Sequence, residues 1–344
     1  MITQQSYGET ASGVQVDEYT LTNANGLEMK VITFGGIITS LRVPDRAGKL
    51  DNIALGFGQL EDYESNAPYL GAIIGRFGNR LGNSRFTLDG IEYRITSNVG
   101  EHTLHGGAIG FDKVVWKAEI VGAAALKLTY LSPDGEEGFP GNLTTTVVYT
   151  LSDDNALRID YTATTDAPTI INLTNHTYFN LAGNGSGDVY NHRVMINAEG
   201  YTPVDAAQIP TGGIAPVEGT PLDFRQPTAV GRDIRSSHVQ MVLSRGFDHN
   251  FVLNGKSPAA RVSEPTTGRV IEMTTTEPAV QFYTGNFLDG TLVGSAGATY
   301  RQGDGLCLET QHFPDAPHHD NFPSTVLRPG ETYTSTTTYK FLAE

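Results

Sequence analysis

The chain of 344 residues carries 23 Lys and Arg against 38 Asp and Glu, a formal net charge of −15. So acidic a balance excludes nucleic acid and anionic membranes as main partners, because both are held through Lys and Arg. A single cysteine, Cys307, excludes an intramolecular disulfide framework and a CxxC-type zinc site.

The N-terminal stretch Met1 to Glu9 has neither a basic region nor an apolar core, and no segment approaches the roughly 18 consecutive apolar residues of a membrane helix. The expectation is a reduced, cytoplasmic protein. At about 100–200 residues per domain the length admits two domains, yet all-β domains of this size are common. No composition shift marks a linker, so one domain over residues 1–344 is expected.

Along the chain, a short helical turn is predicted around residues 59–65. Residues 125–131 alternate with period two, as a half-buried strand does. Residues 144–151 and 332–341 are rich in Thr, Val and Tyr and read as strands. Turn signals separate such runs: Asp89-Gly90, Pro133-Asp134-Gly135, Asn254-Gly255, Asp289-Gly290 and Pro329-Gly330. Residues 183–188 are Gly-rich, but no Lys-Ser/Thr follows, so they read as a plain loop and not a phosphate cradle. Strands do not alternate with long helices, which excludes Rossmann and TIM architectures. The predicted fold is all-β: a large antiparallel β-sandwich with few short helices.

Several predicted strands carry polar groups amid apolar ones. In residues 172–180, Asn172, Thr174, His176 and Tyr178 share one face if the segment stays extended. Gln281 and Tyr283 share a face, with Phe282 behind them. Glu309 sits between Leu308 and Thr310, either a strand-end group facing water or a carboxylate held for proton transfer. His312, His318 and His319, with Asp315 and Asp320, lack metal-ligand spacing and read as a solvated, Pro-interrupted loop. His102, His192 and His238 are expected to face solvent. No metal site is predicted.

These segments, in order, are similar to those of a known family. They are Gly75-Arg76-Phe77-Gly78-Asn79-Arg80, Leu104-His105-Gly106-Gly107, Asn175-His176-Thr177-Tyr178-Phe179-Asn180-Leu181, Gly246-Phe247-Asp248-His249-Asn250, Gln281-Phe282-Tyr283-Thr284-Gly285-Asn286 and Leu308-Glu309-Thr310-Gln311. Together with Phe34 to Leu41 and Gly219 to Arg225, they make the chain resemble the aldose 1-epimerases (galactose mutarotases) over most of its length. The resemblance implies a β-sandwich with a cleft on its concave face and cofactor-independent interconversion of the α and β anomers of free aldoses. It implies His176 as general acid and Glu309 as general base, with Asn79, Arg80, His105, Tyr178, Asp248 and Gln281 binding substrate. The implied partner is a monosaccharide, met by a monomer or homodimer. A nearby carboxylate, Asp248 or Glu309, is expected to favour the imidazolium form of His176. Two alternatives stand beside this reading. One is a hexose-6-phosphate 1-epimerase-like enzyme, for which Arg80 and Arg76 would have to hold the dianion. The other is a non-catalytic sugar-binding module.

Overall fold

The Thr-rich alternation becomes long antiparallel strands. In Leu143–Leu151 the odd-numbered residues are buried and the even-numbered ones partly or fully exposed, so its β-branched side chains pack one face against the core. A computed structural model describes residues 1–66 and 68–344. This strand lies in a nine-stranded sheet, in the order Lys117–Gly122, Ala125–Ser132, Leu143–Leu151, Ala156–Thr165, Tyr333–Ala343, Arg269–Thr275, Ala260–Ser263, Arg193–Ile196 and Thr228–Ala229. The strand Tyr333–Ala343, latest in the sequence, lies near the middle and pairs antiparallel on both sides.

A five-stranded sheet runs Ala215–Pro216, Ala198–Thr202, Asp248–Leu253, Ala279–Tyr283, Cys307–Gln311. Another five strands, from Ile2–Glu9 to Leu50–Asn52, form a meander. One buried apolar cluster joins residues from all three sheets, including Leu41, Leu128, Val147, Phe282, Leu308 and Tyr339. The architecture is the predicted all-β antiparallel sandwich. Among the described residues there are only two α-helices, Leu60–Asn66 and Val239–Ser244. The first matches the predicted turn. The second was not foreseen: six residues capped by His238, whose ring accepts from the Gln240 N–H, hold too short an apolar pattern to read. No helix among them is long and apolar enough to cross a membrane.

Register decides what the second sheet presents. Asn250 lies opposite Gln281, and Gln281 opposite Glu309. Asp248 lies opposite Tyr283, and Tyr283 opposite Cys307. With side chains alternating, these two rows share one polar face. Phe251, Phe282 and Leu308 take the other, in the core.

Candidate active site

Over that polar face opens a cavity of about 280 Å³. Glu309 reaches it from the strand Cys307–Gln311 and is only 2% exposed. Its Oε1 lies 3.6 Å from His176 Nε2, and its Oε2 has no hydrogen-bond partner among the described residues. The two side chains, 133 positions apart, therefore face each other across a single site.

His176 comes from a segment that is mostly not strand. Its one strand is Thr174–Asn175, paired with Ile73–Ile74, while Asn172 and Phe179 make isolated bridges to Phe77 and to Ala54 and Leu306. The backbone is instead stitched to a neighbouring turn. His176 N–H donates to Ala72 O (2.9 Å), and Gly71 N–H donates to His176 O (3.0 Å). Of the four residues expected on one face, His176 and Tyr178 line the cavity. Asn172 instead holds the backbone of His312, accepting from its N–H and donating to its O.

Asn79 and His105 brace each other. Asn79 N–H donates to His105 Nδ1 (3.1 Å), and His105 N–H donates to Asn79 O (3.0 Å). Both have left-handed backbones, with φ of 60° and 53°. The next residue, Gly106, has φ of 93°, and a Cβ there would stand 2.0 Å from Gly75 O, so only glycine lets this turn close on its neighbour. Arg80 N–H donates to the Asn79 side chain, and the Arg80 guanidinium lies 3.8 Å from Asp248. The Arg80 Nε is buried without a partner among the described residues.

Gln281 is the one candidate outside the cavity lining. Its amide donates to Asp248 Oδ1 (2.6 Å) from within the sheet, so it orients a lining residue.

Burial dominates the electrostatics. It pushes the Glu309 carboxyl well above the usual carboxylate range, helped by Asp248 and opposed by Arg80. It pushes Asp248 up, opposed by Arg80 and the Gln281 amide. It pushes His176 down to about 4. The expected stabilisation of imidazolium by a neighbouring carboxylate is thus outweighed by desolvation. At a pH between these two values the pair holds one proton, and burial favours its uncharged arrangement, carboxylic acid and neutral imidazole, over carboxylate and imidazolium.

His105, His176 and Glu309 bring potential ligand atoms within 4.8 Å of one another. The donor set does not suit a cation. His105 Nδ1 accepts from a backbone N–H, so the neutral ring carries its proton on Nε2 and offers a donor, not a ligand lone pair. Such a donor suits an oxygen. The histidine and aspartate groups near residue 315 form the expected loop but are solvated only in part: His318 and Asp320 are exposed, His312 and His319 half-buried. Asp315 is buried, accepting from Gly82 N–H (2.7 Å) and pairing with His318 (2.6 Å), while His312 pairs with buried Glu277 (2.6 Å). Of the histidines expected in solvent, His192 is instead buried. Its Nε2 accepts from Leu181 N–H, and burial lowers it to about 4.

Arg76 does not serve an anion. It is buried and donates to the carbonyls of Ser132, Pro133, Pro140 and Gly141. Among the described lining residues only Arg80 is cationic, and it faces Asp248. A phosphorylated hexose is therefore not favoured. Sequence reasoning missed Tyr69 and Phe287, both in the lining. Neither lies in a periodic or polar pattern that would have flagged it.

A β-sandwich that buries a carboxylate against an imidazole, one of its oxygens unpaired among the described residues, in a cavity whose one cation faces an aspartate, defines an acid–base enzyme for a small uncharged polyol. Comparison with known proteins narrows the class. The family profile described as aldose 1-epimerase matches residues 17–340. Rat galactose mutarotase is 47% identical over 343 residues, 99% of this chain and 98% of that protein. Aldose 1-epimerase of Escherichia coli K12 is 41% identical over 94% of this chain and 95% of its own. The crystal structure of galactose 1-epimerase from Lactobacillus acidophilus superposes with a TM-score of 0.88 at 31% identity, covering 99% of this chain and 98% of that one. The chain belongs to the aldose 1-epimerase family, and it is an isomerase.

Proposed function

We propose that this protein interconverts the α and β anomers of free aldohexoses, galactose and glucose among them, with Glu309 and His176 as the paired base and acid. The observation that carries the assignment is the buried contact of 3.6 Å between Glu309 and His176. Glu309 Oε2 and Arg80 Nε, both buried without a partner among the described residues, suit the hydroxyls of a sugar.

In the carboxylate–imidazolium form, Glu309 takes the proton of the anomeric hydroxyl. The freed electron pair forms the C1 carbonyl, the C1–O5 bond breaks, and O5 takes the proton from His176 Nε2. The aldehyde turns about C1–C2. Closure on its other face returns one proton to His176 and the other to the new anomeric oxygen. The pair holds one proton before, during and after, so turnover needs no exchange with water. Burial, which favours the uncharged form, favours the proton arrangement that accompanies the open-chain sugar. Arg80 and the Nε2–H of His105 offset charge on sugar oxygens during ring opening. Each positioned acid or base contributes typically 10²–10⁴-fold, not additively.

Polarimetry on freshly dissolved α-D-galactose and α-D-glucose tests the assignment. Glu309→Gln and His176→Asn are each expected to lose at least about 100-fold in kcat while staying folded. Full activity in either variant removes that residue from its role; a parent that binds the sugars without speeding their mutarotation would leave a sugar-binding module as the better account. We propose in addition a cytoplasmic location and a monomer or homodimer, which fractionation and light scattering test.

A further inference from the structure

Tyr69 lines the cavity between the two imidazoles, in a loop that none of the recognised motifs covers. Its ring meets His105 edge to face at 4.5 Å, and lies 5.8 Å from His176 at a tilt of 31°. Tyr178 flanks His176 in the same manner, at 4.9 Å and 30°. The two tyrosines are tied together, since Tyr178 OH donates to Pro68 O (2.9 Å). The turn after Tyr69 is tied to His176, because Tyr69 O accepts from Ala72 N–H and Ala72 O accepts from His176 N–H.

The backbone makes the choice of residue informative. Tyr69 has φ of 60°, a conformation that costs a bulky side chain energy and that glycine or asparagine fills freely. A position that needed only to turn the chain would not hold a tyrosine. Strain of this kind persists where the side chain does something in return.

We infer that Tyr69 is a positioning residue for the acid–base reaction: its ring fixes His105 and favours the charged form of His176 when that imidazole carries the proton. The inference rests on the proposed roles of His176 and Glu309. An aromatic face attracts a cation within about 6 Å of its centroid, and does so more strongly away from water. Around His176 the other titratable groups are Glu309, Cys307, His105, Tyr178 and Tyr283. Burial keeps Cys307 a thiol and both tyrosines phenols, so none of these three adds charge. A hydrogen bond to its own backbone offsets part of the desolvation of His176; among the side chains, Glu309 and the flanking rings are left to favour the imidazolium.

The test compares Tyr69→Phe, Tyr69→Leu and Tyr69→Met by polarimetry on α-D-galactose across the pH range, with melting curves for each. The Phe variant keeps the ring and is expected within about twofold of the parent. The Leu and Met variants are expected to lose about three- to thirtyfold in kcat, the span of a cation–π contact, with KM changed less than about threefold. Their acid limb, where a second proton charges His176, should move to lower pH. A Leu or Met variant that folds and keeps kcat and the acid limb overturns the inference. So does a rise confined to KM, which marks a sugar contact, or a Phe variant as impaired as Leu, which assigns the effect to the hydroxyl. Parent protein and His176→Asn run alongside: a parent without activity refutes the proposed reaction itself, whereas an active parent with unaffected Tyr69 variants refutes only this inference.

Discussion

Glu309 is held at a cost to the fold. It is a carboxyl nearly out of reach of solvent, with one oxygen unpaired among the described residues and its ionised form disfavoured by burial. The folded chain keeps a proton there at pH values where the unfolded chain has released it. Stability from that proton is complete below the unfolded carboxyl value, and is lost as pH rises through the higher folded value. Glu309→Gln should therefore stabilise the protein at neutral pH by roughly 0.5–2 kcal/mol, seen as a higher melting temperature, and stabilise it less in acid. Thermal melts at two pH values check this; equal gains at both would remove the carboxyl as the source. Glu309 was legible as a candidate because a carboxylate between Leu308 and Thr310 is out of place in a strand, whereas His176, flanked by Asn175 and Thr177, owed its role to the family resemblance. Tyr69 was not legible, because its importance lies in a backbone angle and a neighbour more than a hundred residues away.

Elements carry the site as much as residues do. The long strands were legible from period-two patterns, and Leu143–Leu151 ends within a residue of its predicted bounds. The short pieces that aim the chemistry were not. Thr174–Asn175 and Arg80–Leu81 are two-residue strands, given shape by partners at Ile73–Ile74 and Thr103–Leu104 and by no local pattern. Parity put Asn172 and Thr174 with His176 and Tyr178, yet only the latter two reach the cavity, since Asn172 is spent on the backbone of His312. Arg76 anchors one such piece, joining the loop before Asn79 to the carbonyls of residues 132–141 through a planar fork. A lysine cannot reproduce that fork. Arg76→Lys is expected to destabilise the protein by about 2–4 kcal/mol, read in a denaturant titration. An unchanged midpoint would show that the carbonyls find other donors.

At the scale of the whole molecule, the cavity is assembled from segments between residues 68 and 309, set on sheets that share one apolar core. We propose on this ground that residues 1–344 form one domain. Calorimetry should give a single transition with matching calorimetric and van't Hoff enthalpies; two resolved transitions would refute it. The family resemblance made the broad architecture legible, since the motifs come in order along nearly the whole chain. The desolvation that outweighs the carboxylates around His176 was not legible, because it depends on how deeply packing seals the pocket.

The single proton that we propose Glu309 and His176 share has a consequence for how the protein works over time. Each pass leaves the pocket electrically as it was found, so no recharging step separates one sugar from the next. The site has no preferred direction of its own, and the balance between the two anomers is left to the sugar.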